Sequence, residues 1–391
     1  MHHGIIKSRH RKVHSIADMS AVNVITCIGV SLAFTFWAVF LKSFLHEDYL
    51  VGLATGVFTL VSLFAHFYFV PLVQKSDEAK LYVYCLISLM LGYLVYFITR
   101  NVWVFLLVTM GVIIARVLRR ESFGILLRDN SSRKTIAKNE GFLYTMSNIG
   151  WVLGPLIAGL IAANYDVRHV YLFAGLFMFL AIIAFAFFKI EDKNHKKVKI
   201  DSSTWKTLKH LATHKYLRKA YLVSMGLNIW WAAVYIYMPL LIMKHLSAVW
   251  VGYFLFAIPI PMVMLEYMVG KYEKKFSARK FFVIGYAMLA VISVAAFFAP
   301  NIYWILGLFI FGSIAASLIE PTRESYFFEL VPQKDEKSYY GPYMSSMEVG
   351  RLVGRFGFAL VILFLPFNAI FIFLALAMLA TSIISLKLKK V

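Results

Sequence analysis

The chain has 391 residues, of which 61% are hydrophobic, 17% aromatic and only 15% charged, with a mean hydropathy of +0.73. Soluble globular domains carry about 25% charged residues, so this balance excludes that class. The formal charge of +20 would suit nucleic acid, but the basic residues lie in short runs between long apolar segments, which argues for membrane topology and against a nucleic-acid partner.

Residues 1–18 form a basic tail. The apolar run behind it is too long for a signal sequence and lacks a small-residue cleavage site, so it reads as a retained first span. Twelve spans of about 20 residues or more are predicted: 19–44, 49–73, 80–99, 102–125, 140–163, 168–190, 219–245, 247–269, 279–299, 302–326, 339–365 and 367–387. The linkers at 45–48 and 164–167 are so short that their flanking spans must be antiparallel neighbours. The domain plan is therefore a tail (1–18), a six-helix half (19–190), a linker (191–218), a second six-helix half (219–387) and a short tail (388–391). In the linker, Ser202 or Ser203 can cap a short helix with Trp205, Leu208, Leu211 and Leu217 loosely on one side. That stretch is either an interfacial helix or a flexible tether.

With both termini on one side, the 40 Lys and Arg fall on that side, with six exceptions. Lys42, Arg100, Arg168 and Lys244 fall opposite; Arg351 and Arg355 fall inside a span. This asymmetry puts both termini in the cytoplasm. Cys27 and Cys85 lie in apolar runs and offer neither a disulfide framework nor a metal site.

The second half repeats the first. Val51-Gly52 recurs as Val251-Gly252, and Asn101 recurs as Asn301 before a similar apolar run. Gly150-x3-Gly154 recurs as Gly350-x3-Gly354. Arg120-Glu121-Ser122-Phe123 recurs, slipped by three, as Arg323-Glu324-Ser325-Tyr326. Two like-oriented membrane halves are the construction of a secondary transporter with its solute site between them.

The fifth span contains Gly150-x3-Gly154-Pro155-x3-Gly159. Glycines four apart give a helix a bare stripe for close approach, and Pro155 permits a bend. Here the chain resembles the major facilitator superfamily, whose fifth-span motif of this form is commonest among proton-driven exporters. The second copy lacks the proline, since Arg355 comes directly after Gly354. The superfamily's loop signature is degraded at Val70–Glu78. It is better kept at Gly270–Lys280, where Lys274 replaces the usual aspartate. The resemblance covers about residues 15–388. It implies an all-α fold of twelve transmembrane helices in two pseudo-symmetric halves, usually monomeric. In that fold Arg120, Glu121, Arg323 and Glu324 stand at the cytoplasmic span ends, where they either pair across the halves as a gate or snorkel to the surface.

Ionisable groups inside spans are costly and mark function by default. Glu348, Arg351 and Arg355 share one face of span eleven at spacings of three and four. Glu348 can neutralise one arginine; the other calls for an anion, either a carboxylate of the protein or the solute. Arg116 in span four joins the site, a proton relay or the surface. His66 and Glu266 occupy matching positions in spans two and eight, and with Glu320 in span ten they are candidate proton carriers. Asn23, Cys27 and Phe34 on span one, and Asn228, Trp231 and Tyr235 on span seven, are candidates for a cavity wall or for plain helix packing.

These readings converge on a secondary transporter of a small organic solute, coupled to protons and embedded in the plasma or inner membrane. No nucleotide cradle, metal or cofactor is expected. Buried positive charge favours an anionic or zwitterionic solute, whereas the fifth-span motif leans toward efflux. The alternatives are a lipid flippase and a non-transporting receptor or scaffold on the same fold. A membrane enzyme is disfavoured, because no cluster of catalytic groups stands at either face.

Overall fold

A computed structural model describes residues 16–69, 73, 76–129, 131, 136–190, 204–273, 277–332 and 335–389. The described residues contain helices and no strand. Hydrocarbon offers no partner for backbone N–H and C=O groups, and a helix satisfies both within its own segment. Eleven of the helices are long and apolar enough to cross a membrane, and exposed side chains such as Leu107 (72%) and Phe187 (78%) face outward from them. These helices fill predicted segments in one-to-one order. They include Asp48–Tyr68, Glu78–Ile98, Val102–Asp129, Ile136–Asn164 and Val167–Phe187, then Ala278–Phe297, Ile302–Leu330 and Ala369–Leu386. The eleventh predicted segment is the 29-residue helix Glu336–Phe364. It falls outside the apolar set because Glu336, Lys337, Glu348, Arg351 and Arg355 leave it no long uncharged stretch.

Breaks appear that periodicity does not announce. The first segment is Ile16–Thr35 and Trp37–Leu45, interrupted at Phe36. The seventh is Lys215–Ala232, a π-helical turn at Ala233–Tyr237, then Met238–His245. A π turn absorbs one extra residue, so side chains on its two sides lose the usual register. The eighth is Ala248–Ala257 and Pro259–Glu273. The linker contains a helix, Thr204–Thr213, packed on segments seven and eleven. Leu211 and, just beyond, Leu217 are buried; the side chains of Trp205 and Leu208, with Ser202 and Ser203, lie outside the described residues.

The sequence repeat reappears as repeated packing. Segment one lies on five as seven lies on eleven; three lies on four and six as nine lies on ten and twelve; two lies on four as eight lies on ten. Across the two groups, segment two packs on eleven and five packs on eight. The chain enters and leaves at one end of the bundle, the terminal end. The turns at 46–47, 165–166 and 246–247 stand at the other, the far end.

Glycine makes the closest of these contacts. A Cβ on Gly150 would lie 2.7 Å from Cys27 Cβ and 3.0 Å from Ile28 N. Gly154 faces Ser31, whose hydroxyl donates to Gly150 O at 2.8 Å. Segment eleven repeats this on segment seven: Gly350 faces Asn228 and Met225, and Gly354 faces Ala232 and Ile229. Between segments five and eight the backbones themselves touch, for a Cβ on Gly159 would lie 2.8 Å from Gly252 Cα and 3.1 Å from Val249 O. Backbone cannot step aside as a rotamer can. Gly159→Val should therefore lower thermal stability in detergent by about 1–3 kcal/mol. Gly111→Ala, with nothing within 4 Å of the added carbon, should leave the melting temperature unchanged.

Candidate functional site

The intramembrane charges gather on segments two, four, ten and eleven. Glu348 accepts from Arg351 Nη1 at 2.7 Å, one turn along the same helix. Its further electrostatic neighbours are Arg355 on its own helix and His66 and Arg120 on segments two and four. Arg355 turns away from this pair and reaches across to segment two. Its Nη1 donates to Thr55 O at 3.0 Å and Thr59 Oγ1 at 2.6 Å, and its Nε meets no acceptor. Its own carbonyl accepts from Tyr237 O–H at 2.7 Å. Arg355 is thus hydrogen-bonded to neutral oxygens and has no carboxylate at ion-pair distance among the described residues.

Segment four adds two more cations. Arg116 stands within electrostatic reach of Arg355, Tyr93 and Tyr96 and has no carboxylate at ion-pair distance among the described residues. Arg119 lies within electrostatic reach of Tyr82 and Cys27, and its Nε is unpartnered. Arg120 is paired locally: it donates to His66 Nε2 at 2.5 Å and lies 3.6 Å from Glu121. Because His66 Nε2 accepts, its proton sits on Nδ1, which donates to Ser62 O at 2.9 Å. On segment ten, Arg323 donates to Glu320 Oε1 within the same helix. The repeated Arg-Glu pairs therefore do not meet across the two groups in this structure: Arg120 engages His66 and its neighbour Glu121, and Arg323 engages Glu320. Each finds its counter-ion one turn or one helix away, nearer than the opposite group.

The candidate wall residues divide. Phe34, Trp231 and Tyr235 come together as half-buried rings, with centroids 5.4 Å apart for Phe34–Tyr235 and 5.5 Å for Trp231–Tyr235. Trp151 joins them edge-on to Phe34 at 5.9 Å. Trp231 Nε1 donates to Glu320 Oε2 at 3.4 Å, tying the ring cluster to the Glu320–Arg323 pair. Asn23, Cys27 and Asn228 do not join this wall. Asn23 donates to Ser147 at 2.6 Å, Cys27 is buried under Gly150, and Asn228 is fully buried beneath Gly350. They occupy the tight faces that the glycines create. The side chains of Glu266 and Gly270 lie outside the described residues.

Several partners escaped the sequence. Thr59 meets Arg355 with its hydroxyl and Thr55 with its backbone carbonyl; the carbonyl is present whatever the residue, so no spacing of residue types marks the pair. Tyr235 and Tyr237 both lie in the π turn, which no residue pattern advertises. Trp151 lies inside the glycine motif, where the glycines dominate the reading.

A family model described as Major Facilitator Superfamily matches residues 19–275 and 259–390, nearly the whole chain between them. The chain belongs to the Major Facilitator Superfamily. Membership makes it an integral, multi-pass membrane protein whose general activity is transport of a solute across the membrane. Within the superfamily it is 22% identical over 370 residues to an uncharacterized MFS-type transporter of Methanocaldococcus jannaschii, covering 88% of this chain and 92% of that one. Its fold is similar to that of a POT family transporter solved with 5-aminolevulinic acid (TM-score 0.79, 9% identity, 95% of both chains). It also resembles the nucleoside transporter NupG (0.79, 10%, 95% and 99%) and the human organic anion transporter MFSD10 (0.67, 15%, 95% and 98%).

In this superfamily member the Glu348–Arg351 pair is largely shielded, with side chains 12% and 31% exposed. Removing one charge should cost more than removing both, because the survivor is left without its partner. A thermal double-mutant cycle tests this. Glu348→Gln should cost about 2 kcal/mol, and adding Arg351→Gln should recover part of that loss.

Proposed function

We propose that this protein is a proton-coupled secondary transporter of small organic anions or zwitterions, working by alternating access between two six-helix halves with segment eleven as a twelfth span. The observation that carries the reading is Arg355, a guanidinium deep in segment eleven whose hydrogen bonds go to neutral oxygens and which has no carboxylate at ion-pair distance among the described residues, Glu348 being held by Arg351. A positive charge in low dielectric needs a counter-charge, and a bound solute anion supplies it. Arg116, equally without a carboxylate among the described residues, adds to the same field. The rings of Phe34, Trp151, Trp231 and Tyr235 offer the apolar part of a solute a surface beside Glu320.

Proton coupling rests on Glu320. It touches the ring wall through Trp231 and the Arg323 charge at once, so a proton on Glu320 would loosen both contacts. His66 is the second carrier: with Nε2 occupied by Arg120, taking a proton means releasing that arginine. The Gly150–Gly159 stripe is used in packing segments one, five and eight together, so it lends the export reading no separate support. The basic bias of the terminal end places both termini in the cytoplasm of a plasma or inner membrane, and the protein is read as a monomer.

The test is ligand-induced thermal stabilisation with benzoate, 5-aminolevulinate and dipeptides, then flux of any hit into proteoliposomes. A solute at 100 times its Kd should stabilise the protein by about 2.7 kcal/mol. Arg355→Ala and Arg116→Ala should each weaken binding about tenfold or more. Stabilisation that both variants retain, or binding without flux, would overturn the reading in favour of structural arginines or a receptor. Glu320→Gln should keep solute exchange yet lose accumulation driven by a pH gradient; accumulation at the unsubstituted rate would remove Glu320 from the coupling.

A further inference from the structure

The far end of the bundle carries a charge cluster that the solute reading does not use. Asp48 opens segment two and is 7% exposed. Each of its carboxylate oxygens takes one ammonium: Oδ1 lies 2.6 Å from Lys42 Nζ, and Oδ2 pairs with Lys244 Nζ. Lys42 closes segment one, so it and Asp48 belong to one hairpin. The turn between them places His46 at φ 64°, a positive value uncommon outside glycine. Lys244 comes from the other group, at the end of segment seven, and also lies over the Phe367 ring at 4.3 Å.

These are two of the four cations that the charge pattern left opposite the termini. Arg168 is a third and is otherwise engaged, donating to Thr99 O at 2.5 Å beside the rings of Phe40 and Phe44. Lys244–Asp48 is an ion pair between the two groups. It stands outside three further contacts that join them, reached on going inward from the far end: Gly159 on Gly252, Arg355 on Thr55 and Thr59, and Phe34 on Tyr235. The structure is closed there.

We infer that Asp48 and Lys244 latch the outward-facing mouth of the transporter, with Lys42 holding Asp48 in place when the latch opens. Parting the groups breaks one ion pair, not two, because Asp48 keeps its hairpin partner. The released Lys244 then stands over Phe367 as a cation at the open mouth, where it attracts anions. This inference rests on the alternating-access reading.

The test uses the full chain in lipid nanodiscs with Cys27 and Cys85 replaced by alanine and spin labels at two pairs of sites. Tyr165 and Phe364 report the far end; Phe187 and Leu386 report the terminal end. Asp48→Asn and Lys244→Met should each raise the ratio of long to short Tyr165–Phe364 distances by about tenfold or more, with the Phe187–Leu386 distance shortening in step. Lys42→Met should leave the ratio near its original value, and Lys244→Arg should keep the mouth closed. No change in Asp48→Asn and Lys244→Met, or an equal change in Lys42→Met, would overturn the latch while leaving the transport reading intact. Widening at the far end without approach at the terminal end would confirm the latch and overturn alternating access.

Discussion

A guanidinium in hydrocarbon must find oxygen atoms, and the nearest ones decide how helices pair. Arg355 finds its oxygens on segment two, in Thr55 and Thr59, and so pins segment eleven to the other group of helices. Tyr237 in turn donates to the Arg355 carbonyl, which fixes the π turn of segment seven against the same point. Tyr235 and Tyr237 both stand in that turn and serve different faces: Tyr235 lies on Phe34, and Tyr237 on the Arg355 carbonyl. One buried charge thus organises segments two, seven and eleven around the middle of the protein.

The charges obey a second rule: they pair at short range before they pair across the molecule. Glu348 with Arg351 and Glu320 with Arg323 are both one turn apart on one helix, and Arg120 pairs with its sequence neighbour Glu121. After local pairing, an excess of positive charge is left on segments four and eleven. The proposed site is defined less by any one side chain than by this uncancelled charge.

Much of this was legible in the order of residues. Helix positions come from apolar runs of sufficient length, and the repeat of Gly150-x3-Gly154 as Gly350-x3-Gly354 anticipates that segments one and seven are gripped alike. The face shared by Glu348, Arg351 and Arg355 is a matter of helical spacing, but its outcome is not. Spacing says that Glu348 can reach Arg351; it cannot say that Arg355 turns toward Thr59, 296 residues away in sequence. Asn228 shows the opposite failure. Its spacing to Trp231 and Tyr235 suggests a common face, yet Gly350 packs on Asn228 while Trp231, in the same α-helix, reaches Glu320 and the ring cluster. Long-range partners and one inserted backbone residue are invisible to periodicity.

The contact of Gly159 with Gly252 has a mechanical meaning of its own. Two helices that interlock through side chains must reset rotamers when one turns over the other, and each reset adds roughness to the motion. Here backbone lies on backbone, so only weak Cα–H···O contacts are exchanged as the helices roll. If the two groups rock against one another, this seam acts as a smooth bearing. The energy that separates the two faces of the cycle is then stored in the ions at the rim, and little of it at the pivot.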